Sequence, residues 1–573
     1  MESHSVAVTT RRPAFWLSAL LDIAMGSHTR ACALLFAACL IAFLPGFFRI
    51  PPVDRDEARF AQATKQMLDT GNYVDIRFQD EVRYKKPVGI YWLQAAAVKA
   101  GQALGVPHAH SAIWLYRLPS LAGAICAVWL TYWAALAFVG RRAALLAALM
   151  MASSIALGVE ARLAKTDAVL LACSVAVMGA MARVYLSRRN TPDMPIGLRL
   201  PAILWTAMAA GVLIKGPLVL MFAGLTAIAL SILGRSARWM AALCPFSGII
   251  WMLALVLPWF IAIGLRSGGS FFEQSIGNDM LAKVAGGQES HGAPPGYYLL
   301  LFWVTFWPGS VLAGIAAPAV WRARREPETQ FLLAWLIPSW IILEAVVTKL
   351  PHYVLPLYPA IAILISGVLE RGDLATARWL VRGTVGWFLF PAVLAIAVPI
   401  IFIIVDRNPG IIAWPFAGAA VIFGLFAWWL YEADGAERSL LRGVAASVFV
   451  GIAVYAVTFP SLPALFPSAL IADELKGSGC DNPQAASTGY YEEPSLIFLL
   501  GTGTRFTDGP GAAEFLHGGA CRFALIDARS ERSFVQHADA IGLHYALSQH
   551  IDGYNISVGR PVALDIFRSL ETP

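Results

Sequence analysis

VDRDEARFAQATKQMLDTGNYVDIRFQDEVRYKKPVGIYW, residues 53–92, interrupts an otherwise apolar chain directly after its first hydrophobic span. Asp54, Asp56 and Glu57 stand at its start, followed by Arg59 and, later, by Lys85 and Lys86. Carboxylates and cations are thus gathered against a membrane surface, where they are costly unless they serve structure or chemistry.

The surroundings fix the class. With 58% hydrophobic and 14% charged residues, the chain reads as a polytopic membrane protein. Arg11, Arg12 and Arg30 precede a span ending in IAFLPGFFRI, without a small-residue cleavage site, so the first span is expected to stay in the bilayer. The formal charge of +6 carries no nucleic-acid signal, because the arginines lie mostly between spans and no basic run has interleaved aromatics.

Apolar stretches of roughly 20 residues predict spans near 31–49, 113–139, 143–159, 167–186, 200–214, 217–233, 246–265, 297–320, 330–347, 353–369, 379–405, 411–431 and 441–460, about thirteen in all. Alternate loops carry Arg141 and Arg142, Arg188 and Arg189, Arg235 and Arg238, Arg322 to Arg325, Arg371 to Arg382, and Arg438 and Arg442. The positive-inside bias puts these loops and the N-terminal segment 1–30 in the cytoplasm. The first loop, 50–112, and the short loops ARLAKTD, IKGP and TKLPHY then share the external face with the tail.

The expected architecture is an all-α membrane domain over 31–460, followed by a small α/β domain over 465–573. In that tail SLIFLL, CRFALIDA and PVALDIF alternate with Gly, Pro and Asp, and Glu514 and Phe515 are expected to open a helix. Cys480 and Cys521 can pair there if the tail is extracytoplasmic; two buried thiols are the alternative.

Each polar cluster has a plain structural reading beside a chemical one. Asp56 and Glu57 open a predicted amphipathic helix, ARFAQATKQMLDTG, where ordinary capping also favours acids. Lys85 and Lys86 can be headgroup anchors or bind a lipid phosphate. Asp167 lies just inside a span beside Lys165 and Arg162, as an N-cap in a salt bridge or as a functional acid. Lys215 sits at a turn that Gly216 and Pro217 explain by themselves. His291 lies in a Gly- and Pro-rich loop. Lys349, His352 and Tyr353 mark the mouth of a proline-interrupted span.

DRDEARFA, RYKKPVGIYW, RLAKTDA, LIKGP and KLPHYVLPLYP, in this order, resemble bacterial membrane glycosyltransferases of the GT-C superfamily, in particular the ArnT-like aminoarabinose transferases and the related dolichyl-phosphate-mannose protein mannosyltransferases. The resemblance runs through roughly residues 30–370. It implies a polyprenyl-phosphate sugar donor, an extracytoplasmic active site in a bacterial inner membrane, and a lipid A, other glycolipid or protein acceptor. It makes Asp56 the first-loop catalytic carboxylate, beside Glu57, and Asp167 a second acid. Arg59, Lys86 and Tyr353 would contact the lipid phosphate, with Lys215 near it. By their place in the polar clusters of the same face, Lys85, Arg162, Lys165, Lys349 and His352 are expected as further substrate contacts. The aminoarabinose transferases carry Phe-Glu-Lys-Pro where this chain has Tyr84 to Pro87, so their metal-binding Glu is Lys85 here, and His291 is the one candidate for the partner ligand. A divalent metal therefore stays open. No Rossmann glycine fingerprint for a nucleotide sugar occurs. A transporter would call for inverted repeats and broken helices near mid-bilayer, which the sequence does not display.

Overall fold

The long apolar runs fold as helices because backbone polar groups surrounded by hydrocarbon must pair within their own segment. The computed structural model describes residues 16–190, 197–275, 277, 292–408, 410–489, 491–556 and 558–570. Among these, seven helical stretches are long and apolar enough to cross a membrane: Ile113–Ala135, Asp167–Asn190, Pro245–Ser267, Pro351–Arg371, Arg378–Asp406, Ile411–Trp429 and Tyr431–Ser461. His28–Phe43, Leu218–Leu233 and Ser310–Arg322 are shorter apolar helices.

The expected count of about thirteen exceeds these seven in part because two apolar runs break, and in part because the expected spans 31–49, 200–214 and 217–233 fold as unbroken helices of only 16, 17 and 16 residues. The 143–159 run divides into Arg141–Ser153 and Ile155–Glu160 at Ser154, whose backbone is extended. The 297–320 run divides into Tyr297–Thr305 and Ser310–Arg322 around Pro308, which has no N–H to continue the ladder.

Asp167–Asn190 lies at the centre of the bundle, with 89% of its apolar window buried, against 22% for Pro245–Ser267. The latter turns Phe246, Ile250 and Trp251 outward as an apolar face suited to lipid. The central position of the first helix holds its N-terminal residue, Asp167, inside protein rather than hydrocarbon.

The first loop folds as two helices, Asp56–Thr70 and Gly89–Ala103, linked through a short hairpin of β1 (Arg77–Phe78) and β2 (Glu81–Val82). Ala58, Phe60, Ala61 and Met67 are buried as the periodicity predicts, and Leu68 is partly buried. The opposite side is covered too: Gln62 and Thr64 are buried, and Thr64 Oγ1 donates to Gln94 Oε1 at 2.6 Å, pinning one helix to the other. The Asp56–Thr70 helix is therefore enclosed rather than lying along an open interface.

The cover comes from the tail. Its five strands, β3 (Gln484–Thr488), β4 (Arg505–Thr507), β5 (Arg522–Asp527), β6 (Tyr545–Asn555) and β7 (Arg560–Ser569), form one sheet in the order β4-β3-β5-β7-β6. The β3 strand runs parallel to β4 and β5, whereas β7 is antiparallel to β5 and β6. Helices Pro494–Leu500 and Gly509–His517 connect the parallel strands. The second begins at Gly509, upstream of the expected Glu514, because the Asp508 carboxylate accepts from Gly511 N at 2.9 Å and Pro510 presets the first turn. Cys480 and Cys521 form a disulfide, Cα to Cα 5.7 Å. Phe498 packs edge-on against Tyr116 at 5.3 Å, within a cluster shared with Ala61, Val98 and Leu115. Lys65 Nζ donates to Phe498 O at 2.9 Å, and Gln79 Nε2 to Thr504 O at 2.6 Å.

Candidate active site

A cavity of about 400 Å³ collects most of the predicted polar residues, lined by Asp56, Arg59, Lys85, Lys86, Lys165, Asp167, Lys215, His352 and Tyr353. Five stretches far apart in sequence meet there: the start of the Asp56–Thr70 helix, the segment after β2, the 159–167 turn, Lys215 at the end of the Arg199–Lys215 helix, and the 348–353 turn.

Asp56 is the first residue of its helix, where a carboxylate complements the dipole. Arg55 before it holds a left-handed φ of 66°, an uncommon conformation for a residue with a Cβ. Burial raises the cost of charge on Asp56, but Lys165, His352 and Arg83 outweigh it and hold the carboxyl below its ordinary range. No described residue hydrogen-bonds the Asp56 side chain, so a carboxylate kept ionised faces the cavity.

Glu57 does different work. Arg117 Nε donates to its Oε1 at 2.8 Å and Nη2 to its Oε2 at 2.7 Å, while Ala164 N and Val53 N each donate at 2.8 Å. Both oxygens are thus taken up in a buried clamp, which Arg117 extends by donating to the carbonyls of Phe47, Ile50 and Pro51. Glu57, expected beside Asp56 as a catalytic acid, lines the same cavity, and its clamp ties the first loop to the Ile113–Ala135 helix and the 161–166 turn.

Asp167 accepts from Lys215 Nζ and lies 3.9 Å from Lys165 Nζ. Lys165 also pairs with Glu160 Oε1 at 3.3 Å. Burial works to discharge Lys165, but Glu160, Asp167 and Asp56 outweigh it and hold the ammonium charged. His352 bridges the two acids, with Nδ1 3.4 Å from Glu160 and Nε2 3.6 Å from Asp167. Lys215 reaches its place because Gly216, at φ 72° and ψ −144°, turns the chain as a residue with a Cβ rarely can. Its ammonium sits 5.1 Å from the centre of the Tyr353 ring.

Two expected contacts lie elsewhere. Arg162 is buried against the carbonyls of Pro45 (2.9 Å), Ala42 (2.5 Å) and Gly158 and stacks on Tyr455, away from the cavity wall. A buried guanidinium seeks acceptors, and the unpaired carbonyls near Pro45 supply them. Lys349 Nζ donates to Val346 O at 2.5 Å within its own turn. His291 lies outside the described residues.

Sequence reading passed over Glu160, Arg83 and Arg117. Arg117 and Glu160 carry a legible signal, an ionisable residue inside or at the end of an apolar span. Arg83 stood inside the quoted RYKKP stretch, but only the fold turns it toward the cavity, its guanidinium 5.2 Å from the Phe60 ring.

Glu160, Asp167 and His352 offer ligand atoms within 4.8 Å of one another, a spacing that suits a metal. One oxygen of each carboxylate already accepts from a lysine ammonium group and Lys85 brings a further positive charge to the cavity, which disfavours a dication, while Glu160 Oε2 is buried with no hydrogen-bond partner among the described residues.

Against known proteins, residues 54–267 match the family model described as dolichyl-phosphate-mannose-protein mannosyltransferase. The crystal structure of ArnT from Cupriavidus metallidurans in the apo state superposes with a TM-score of 0.71 at 18% identity, covering 93% of this chain and 97% of that one. This chain has the ArnT fold. The same ArnT bound to undecaprenyl phosphate gives a TM-score of 0.69. An undecaprenyl phosphate-alpha-4-amino-4-deoxy-L-arabinose arabinosyl transferase of Yersinia pestis is 25% identical over 351 residues, 58% of each chain. The chain thus spans a little over half the length of that relative, and the five quoted motifs lie on an ArnT-like frame.

Proposed function

We propose that this ArnT-like chain is a membrane glycosyltransferase that takes a sugar from a polyprenyl-phosphate carrier and passes it to an envelope lipid or glycolipid. The carrying observation is the cavity in which Asp56, without a hydrogen-bonded partner among the described residues, faces the cations Arg59, Arg83, Lys85 and Lys86. The 25% identical relative is named for an undecaprenyl-phosphate sugar, which supports the carrier chemistry.

Breaking the bond from sugar to phosphate leaves negative charge on a lipid phosphate. Arginine can meet that phosphate with two parallel N–H bonds, and lysine as a point charge. Arg59, Lys85 and Lys86 supply both kinds and stabilise charge as it develops on the leaving group. A hydroxyl acceptor approaches the anomeric carbon from the opposite face, giving inversion, and Asp56 accepts its proton. For an acceptor that is already ionised, Asp56 instead stabilises the positive charge on the sugar. Lys165 and Lys215 hold Asp167 in place beside it, so no metal is assigned a step.

In this reading the protein lies in a bacterial inner membrane, with the N terminus cytoplasmic and the cavity and C-terminal domain periplasmic; the positive-inside bias of the arginine-rich loops supports that orientation. A protein acceptor is the second reading, favoured by the mannosyltransferase family match over 54–267.

The test is mass spectrometry of envelope glycolipids and glycoproteins from a deletion strain carrying wild type or Asp56→Asn at matched expression. A sugar lost from one acceptor and restored by wild type alone supports the proposal and identifies the acceptor; full restoration by Asp56→Asn sinks the assignment of Asp56.

A further inference from the structure

The turn that presents Asp56 is held from two sides. On one, the Glu57 clamp fixes Val53 and the helix start. On the other, Asp54 reaches into the C-terminal domain, where its Oδ1 accepts from Ser495 N at 3.0 Å, at the first turn of the Pro494–Leu500 helix. Glu493 faces the same carboxyl and is itself buried, accepting from Asn555 Nδ2. Ser495 Oγ donates to Ser468 Oγ at 2.6 Å, and Ser468 shares a hydrogen with Tyr491 at 2.6 Å, so the grip is braced within the tail. Between the two anchors lies Arg55 with its left-handed φ. Such a conformation persists only where the surroundings over-determine it.

We propose that the C-terminal domain completes the active site: Ser495 and Glu493 grip Asp54, and Asp54 is the positioning residue that fixes the Arg55–Asp56 turn. The inference rests on the glycosyl-transfer reading of Asp56 and goes beyond it by making the tail part of the machinery rather than a lid.

The grip carries its own pH dependence. Burial raises the Asp54 carboxyl to about 7, the charge and hydrogen bond of Glu493 add to the rise, and the hydrogen bonds of Ser495 oppose it. From the tail, Glu493 and Tyr491 are the titratable groups facing it, with Ser495 as a neutral partner; on its own loop Arg55 and Asp56 are adjacent. An acid raised in the folded state keeps its proton where the unfolded residue has lost it, so the grip is strongest at acid pH and weakens as pH rises from about 4 through about 7. Above that range the Asp54 carboxyl has lost its proton and faces Glu493 as a carboxylate.

The experiment uses the full-length protein with the envelope fraction of the deletion strain as substrate, following initial transfer rates between about pH 5.5 and 8.5, alongside hydrogen exchange of residues 53–60. Asp54→Ala is expected to lower kcat about tenfold or more with the KM for donor little changed, and to speed exchange across the turn. Glu493→Gln is expected to flatten the fall in rate above neutral pH, and Asp54→Asn, which imitates the protonated acid, to do the same. Gln79→Ala removes another hydrogen bond between the domains, to Thr504, and is expected to leave rate and pH profile as in wild type. Rates and exchange unaltered in Asp54→Ala, or an alkaline limb that survives both amide variants, overturns the proposal. If the wild type transfers no sugar, the functional reading falls by itself, and exchange at 53–60 still decides the grip: faster in Asp54→Ala upholds it, unchanged overturns it.

Discussion

Glu57 and Arg117, sixty residues apart, lock together through two parallel hydrogen bonds of 2.8 and 2.7 Å, with both side chains about 1% exposed. Removing one partner leaves the other charge buried and unpaired, a loss typically of about 3–5 kcal/mol. Arg117→Met should therefore lower the melting temperature and folded yield of the solubilised protein, with activity falling in parallel. Glu57→Gln should lower them as well, because the neutral amide leaves the Arg117 charge unpaired and turns its NH2 toward two N–H donors. A melting temperature equal to wild type in Arg117→Met would refute the clamp.

Asp56 should behave in the opposite way to its neighbour. Asp56→Asn keeps the shape of the helix start and removes only the charge, so transfer should fall by about 10²- to 10⁴-fold while the melting temperature changes little. The lowered carboxyl also sets a sign: Asp56 stays ionised throughout the neutral range, and its charge is lost only as pH falls below the ordinary carboxylate value near 4. Transfer should accordingly persist to about pH 5 without an acid limb. A rate halved near pH 6 through Asp56 would contradict the cationic surroundings described here.

Arg59 offers a test of phosphate geometry. If its guanidinium meets the carrier phosphate with two bonds, Arg59→Lys keeps the charge but loses the fork, and kcat/KM for the donor should drop about ten- to a hundredfold, with Arg59→Ala lower still. The contrast is with Lys86→Arg, where a point charge is replaced by a fork and the loss should be smaller. Equal rates for Arg59→Lys and wild type would place the phosphate elsewhere in the cavity.

These predictions depend on residues that the sequence revealed unevenly. Asp56, Arg59, Lys85 and Lys86 stood out because charges beside a membrane span are rare, and the positive-inside rule put them on one face with Asp167, Lys215 and His352. What linear reading could not supply was direction. Glu57 and Asp56 are adjacent, but a helix turns successive side chains about 100° apart, so one meets Arg117 and the other the cavity. Arg162 and Lys165 share one short loop and part in the same way, the first to the carbonyl near Pro45 and the second to Glu160. The span count is a different matter, since length and apolarity do not register breaks such as those at Ser154 and Pro308, and seven of the roughly thirteen expected spans stand as single long apolar helices among the described residues. The tail was legible as α/β, but its contact with Asp54 joins residues more than four hundred positions apart and leaves no local trace.

The cluster of Glu160, Asp167 and His352 sets the last prediction. By spacing alone it could take a divalent cation. Its charge argues otherwise, because Lys165 and Lys215 already neutralise the two acids, and a dication beside two buried ammonium groups would meet strong repulsion. The purified protein should therefore contain well under one equivalent of metal by elemental analysis, and transfer should survive prolonged chelation. Replacing Lys215 by Met frees Asp167 from its ammonium, so Lys215→Met should bind zinc or manganese more tightly than wild type does, in proportion to the repulsion removed. One equivalent of metal in wild type, lost in His352→Ala together with activity, would overturn this account and make the lysines companions of a metal rather than its substitutes.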